Sequence, residues 1–293
     1  MIRARPAFPL RRGLRFMLAA AFFFAIMAVL VKALRRIPTQ EVVLVRSLLN
    51  VAFTLALAVR ARAPLLGRRP WALLFRGLLG YAALSFHFYA LQRMPLADAV
   101  LIHNAAPVIV ALLGPLVLGE PGGRGLTVLA LVGLGGVAVL VRPTGEAGLL
   151  PALAALAGAS FSAVAYLTIR ALGRTEHPLT VVLYFPLVSA AISWAPALAG
   201  FVRPTGVEAL ALLGVGATTT VAQVCLTNAL RLESASAAAP VAYTGLVFVA
   251  VFDYLLFSAV PDGRTLAGSL LIIGVVALIA RRTAPPLEPE ARP

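Results

Sequence analysis

FYALQRMPLADAVLIHNAAPVIVALLGPLVLGE, residues 88–120, reads as the end of one apolar helix, a tight polar turn at Gln92, Arg93 and Pro95, and a second apolar helix carrying Asp98, His103, Asn104 and Pro107. Polar groups at membrane depth are costly, so His103 and Asn104, placed a turn or two inside an apolar span, are expected to face a cavity or a packed interior. Pro107 removes a backbone donor and frees a carbonyl one turn back, which a nearby polar side chain would satisfy. A related pattern returns 139 residues later. In TNALRLESASAAAPVAYTGLVFVAVFDYLLF, residues 227–257, a helix again ends in Ala-Leu, turns through polar residues and restarts as a helix containing proline. Seven positions are identical between 89–118 and 228–257, where about three are expected by chance in a chain so rich in Ala, Leu and Val.

Composition agrees with a membrane reading. The 293 residues are 61% hydrophobic and 12% charged, with a mean hydropathy of +0.95; soluble domains carry roughly 45–50% apolar and about 25% charged residues. The lone Cys225 excludes an intramolecular disulfide and a multi-cysteine metal site. His87, His103 and His177 lack the spacing of a zinc enzyme, and no GxxxxGK[ST] is present for direct use of ATP. No metal, cofactor or nucleic-acid partner is expected; the partners are the lipid bilayer and a small molecule, and a homodimer stays open. The net charge of +14 belongs to arginines at helix ends, where they orient a chain in the bilayer.

Apolar runs of the length a bilayer core of roughly 30 Å requires fall at 16–31, 42–59, 71–91, 96–118, 124–141, 149–170, 179–199, 207–230, 235–257 and 265–280. The basic start before residue 16 resembles a signal peptide, but the apolar run exceeds a typical signal core and no clear small-residue cleavage site follows, so it reads as a retained first helix. RPTGEAG, 142–148, is the joint between two five-helix halves, 10–142 and 148–282, and the proline-rich residues 283–293 read as a disordered tail. Sixteen of the 25 Lys and Arg fall on the side of the termini and seven on the other, which places both termini in the cytoplasm. Five spans per half is an odd number, so the halves cross in opposite senses. The expected fold is an all-α integral membrane protein of ten transmembrane helices in two inverted five-helix repeats, a plan common among secondary transporters, with the substrate near the midplane.

The segments PTQEVVLVRSLL (38–49, with Arg46) and RGLLGYAALSFHFYALQRMPLADA (76–99), the Gly119-Glu120 turn and the glycine-rich LVGLGGVAVL resemble the drug/metabolite transporter superfamily, in its form with two EamA-type domains. The resemblance covers about 10–282 and implies alternating access in the cytoplasmic (inner) membrane. It leaves open amino-acid-like metabolites, whose efflux is favoured, and riboflavin, S-adenosylmethionine, nucleosides or nucleotide sugars, taken up or exchanged. The second half departs from the pattern, with Pro186 where Arg46 would align and SAVPDG in place of the Gly-Glu turn.

Candidate substrate-binding residues are His103, Asn104, Gln223, Tyr243, Thr220, His87, Asn50 and Tyr166; candidates for coupling or gating are Asp253, Arg46, Arg76 and Glu120. Asp253 is a carboxylate deep in a span, fit to bind a proton or cation or to pair with Arg46 or Arg76. Proton coupling would run through Asp253 or His103. Arg46 would otherwise pair with Glu41. Arg76, Gly80, Ala83 and His87 share one helix face, either a packing seam or a cavity wall. Thr220, Gln223 and Thr227 share another, as interhelical glue or as substrate contacts. Tyr243 aligns with Asn104 across the repeat. The small residues Ala155, Ala159 and Ala163, and Gly158 with Ser162, read as close packing. An intramembrane enzyme lacks a nucleophile-and-base set here, and a channel or lipid flippase is the third reading.

Overall fold

The computed structural model describes residues 11–32, 34, 36–94, 96–119, 124–141, 148–257 and 262–282, and every regular element among them is helical. The helices are α1 Arg12–Lys32, α2 Thr39–Arg60, α3 Pro70–Arg93, α4 in two pieces, Leu96–His103 and Ala106–Leu118, α5 Arg124–Val141, α6 Leu149–Leu172, α7 Pro178–Leu198, α8 Gly206–Leu232, α9 as Ala235–Ala238, a 3-10 turn Ala239–Tyr243 and Thr244–Phe257, and α10 Gly263–Arg282. Among the described residues nine spans are long and apolar enough to cross a membrane. The tenth, α3, is 24 residues long and less apolar because Arg76, Ser85 and His87 interrupt it; it packs against α6 and α7. The 142–147 joint, Glu120 and the 283–293 tail lie outside the described residues, as does the side chain of Asp253.

Exchange of the two halves is visible in the packing. The most extensive helix pairs are α1 with α8, α3 with α6, α2 with α7 and α5 with α10. Moving five helices along the chain turns the first pair into the second and leaves the other two unchanged. The outer surface is apolar, with Leu116 81% exposed and Leu210, Leu255 and Leu270 close behind, because lipid takes the place of water around the bundle.

Close crossings rest on small residues. A Cβ on Gly268 would stand 2.8 Å from the Gly136 carbonyl oxygen, so the glycine-rich fifth helix lies backbone against backbone on α10. A Cβ on Gly158 would come within 3.2 Å of the Ala83 oxygen and the His87 nitrogen. With Ala155, Ala159 and Ala163 fully buried, the small-residue stripe of α6 is a packing seam against α3, and it brings α3 and α6 into close approach beside the cavity.

The spans 96–118 and 235–257 are each expected as one helix; both are interrupted, and at equivalent places. α4 stops at His103 and restarts at Ala106, while the 3-10 turn of α9 ends at Tyr243, 139 residues after Asn104. At the first break the Val108 N–H donates to Ala105 O at 3.0 Å instead of reaching back to Asn104. The Asn104 carbonyl is thereby released from the helix ladder. Its side chain turns inward on its own helix, donating to Val100 O at 2.8 Å. At the second break the Thr244 hydroxyl donates to Val241 O at 2.7 Å.

Candidate functional site

α3 presents Arg76, Gly80, Ala83 and His87 to a cavity of about 210 Å³. The shared helix face is therefore a wall of open space. Opposite and beside it stand Arg46 from α2, His103 at the end of the first α4 piece, Ser162 and Tyr166 from α6, Phe185 from α7 and Gln223 from α8, with Phe24 and Met27 of α1. Both halves contribute, α1 to α4 from one and α6 to α8 from the other.

The polar contacts inside are few. Arg76, 3% exposed, donates from Nη2 to Gln223 Oε1 at 3.3 Å. The Phe185 ring lies against both guanidiniums, 4.6 Å from that of Arg76 and 5.8 Å from that of Arg46, a cation–π arrangement that offsets part of the cost of the charges. Gly80 makes this geometry fit: a Cβ there would lie 2.7 Å from Phe185 Cδ2 and 2.9 Å from Arg76 Nη1. The His87 and His103 rings are 4.0 Å apart, centroid to centroid, and tilted by 32°.

A second cavity of about 220 Å³ adjoins the first and shares Phe24, Tyr166 and Leu226 with it. Its lining is mostly apolar, from α1 (Met17, Ala20, Ala21, Ala25) and α9 (Ala242, Gly245, Leu246, Val249), with Asn104 as a polar member. Tyr166 stands between the two chambers.

The structure thus gathers Arg46, Arg76, His87, His103, Tyr166 and Gln223 into one chamber and places Asn104 in the next. Asn50 and Thr220 lie elsewhere, buried between α2 and α8. Asn50 Oδ1 is 3.1 Å from the Thr54 hydroxyl and 3.3 Å from that of Thr220, a junction that joins the two helices. Tyr243 is fully buried and lines neither chamber; its hydroxyl sits 3.2 Å from Asn104 O and 3.3 Å from Ala130 O. Glu41 does not meet Arg46: its Oε2 accepts from the Val202 N–H at 2.8 Å. Phe185 escapes the sequence reading, since an aromatic residue in an apolar span carries no signal of a neighbouring charge. Ser162, which by spacing belongs to the packing stripe of α6, lines the chamber as well.

The EamA-like transporter family matches this chain twice, over residues 11–142 and 149–281. The chain belongs to that family. This EamA-like transporter is 35% identical over 274 residues to the pseudopaline exporter CntI of Pseudomonas aeruginosa, covering 92% of this chain and 96% of the relative. It is 26% identical to an S-adenosylmethionine uptake transporter of Rickettsia prowazekii, over 72% of each chain. It is 24% identical to human solute carrier family 35 member G1, over 89% of this chain and 76% of that one. A crystal structure with 24% identity superposes with a TM-score of 0.83 over 92% of this chain and 98% of the other, the same fold. The protein is a multi-pass membrane transporter, not an enzyme.

Proposed function

We propose that this transporter exports a small amino-acid-like metabolite across the cytoplasmic membrane, with both termini in the cytoplasm. The observation that carries the reading is the chamber between the halves, whose polar groups come from α2, α3 and α4 on one side and α6 and α8 on the other. A substrate held by both halves couples its own binding to their relative position, which is what alternating access requires. Rocking one half against the other would open the chamber to each face in turn. The relative at 35% identity is named an exporter, which favours efflux over the uptake named for the relative at 26%.

The test is flux into proteoliposomes of the purified full-length protein, by counterflow of labelled amino acids and related metabolites. Saturable, stereoselective exchange supports a carrier. His103→Ala and Gln223→Ala are expected to lower flux while membrane insertion and yield persist. Wild-type flux in both would remove the chamber from the transport route.

A further inference from the structure

Among the described residues, neither of the intramembrane arginines that line the chamber has an acidic partner. Among the described residues no carboxylate lines it, and the described ion pairs lie at the bundle's ends, Arg11 with Glu233 and Arg36 with Glu208. Buried Nε of Arg46, and Nε and Nη1 of Arg76, have no hydrogen-bond partner. What the chamber supplies instead is neutral: the Gln223 amide oxygen on Arg76 and the Phe185 ring between the two guanidiniums. A buried charge left uncompensated is strongly destabilising, and a second cation in the same chamber adds repulsion. Both guanidiniums line the open space of the chamber.

We propose that the chamber binds the carboxylate of an anionic or zwitterionic substrate, held by Arg76 and Arg46. This deepens the transport reading and rests on it for the site's purpose. Guanidinium presents parallel N–H donors that match a carboxylate's two oxygens, so one substrate carboxylate in the chamber would neutralise the excess charge of the two arginines that line it. The size of the chamber, about 210 Å³, falls below the roughly 300–1,000 Å³ of sites for drug-sized ligands, which fits a small acid better than a nucleotide. The adjoining apolar chamber beyond Tyr166 gives an apolar side group somewhere to lie.

The experiment uses the full-length protein in detergent and matched probes: L-histidine against histamine, L-phenylalanine against phenethylamine, and inorganic phosphate. Binding is read by thermal shift and calorimetry. At least one acid of these pairs is expected to stabilise the protein where its amine does not. Arg76→Met is expected to weaken that acid by about thirtyfold or more, ~2 kcal/mol, with Arg76→Lys recovering part of the loss through charge without the fork. The ligand-free Arg46→Met and Arg76→Met proteins are expected to melt at or above the wild-type temperature, because each loses an unpaired buried cation. Equal or tighter binding of the amines, tighter binding of phosphate, no shift with any acid, or a steep fall in ligand-free stability on removing either arginine overturns the carboxylate site. Acid binding that survives in a protein with no flux in proteoliposomes keeps this site and removes the transport proposal, so the two failures are distinguishable.

Discussion

The hydroxyl of Tyr243 meets the main-chain carbonyl of Asn104 at 3.2 Å, and these two residues hold equivalent positions in the two halves, 139 residues apart. The break in α4 frees that carbonyl, and a side chain from the break in α9 satisfies it. Each interruption would leave polar backbone inside the membrane; here one is closed by the other.

Tyr243→Phe keeps the ring that packs on Gly133 and removes only the hydroxyl. A buried carbonyl then loses its partner, which costs about 1–3 kcal/mol, and the unfolding midpoint in detergent is expected to fall accordingly. Flux per folded molecule is expected to stay near wild type. Lost flux with unchanged stability would instead put the hydroxyl on the substrate, as the sequence reading had it.

Gly80→Ala drives a methyl into Phe185 and the Arg76 guanidinium, with approaches of 2.7 and 2.9 Å. Substrate affinity is expected to drop because the cation–π contact is displaced. Gly135→Ala is the control: nothing lies within 4 Å of its Cβ, and alanine in a helix interior is favoured over glycine by about 0.5–1 kcal/mol. Equal effects of the two on affinity would contradict the placement of Arg76.

Arg36 clasps Glu208 at 2.6 and 3.0 Å and donates to Arg203 O at 2.8 Å, while Thr205 and Glu208 form a capping box at the start of α8. On the proposed topology this clasp closes the face opposite the termini. Arg36→Gln is expected to shift the protein towards opening on that face, read as faster labelling of a cysteine introduced in the chamber of a Cys225-free background. Raised salt should mimic the substitution, since the pair is exposed. Labelling that ignores both changes would show the clasp to be ornamental.

His177 caps α7, its Nδ1 accepting from the Leu179 N–H at 3.3 Å, which only an unprotonated nitrogen can do. Burial, and then the Arg231 charge, push this imidazole below its ordinary 6.5. A base with a lowered folded value binds fewer protons when folded than when unfolded. Its contribution to stability is complete above pH 6.5 and is lost as pH falls from there through the folded value. The drop in melting temperature on acidification below 6.5 is expected to be smaller in His177→Gln than in wild type. An identical pH profile in the two proteins would contradict the shift.

The membrane class, the helix count and the inverted halves were legible in the composition, the ten apolar runs and the five spans of each half, because apolar length and the distribution of arginines are properties of the linear chain. The face carrying Arg76, Gly80, Ala83 and His87 was legible as well, since helical period alone aligns them, but whether it met a cavity or a neighbour was not. Asn50, Thr220 and Tyr243 carry the same polar signal as Gln223. Hydrogen-bonding capacity reads identically in sequence whether a group faces a ligand or a helix.

By itself, then, the sequence determined that this chain spans a membrane as two opposed sets of five helices with polar groups at depth, since hydrophobicity, period and charge bias act locally. Only the tertiary structure decided that Arg46 and Arg76 share one chamber across Phe185, that Glu41 turns to Val202 instead, and that Tyr243 closes the break at Asn104. Those outcomes depend on which faces α2, α3, α6, α7 and α8 turn towards one another. That is settled by packing between helices distant in sequence, through close approaches that Gly80 and Gly158 permit.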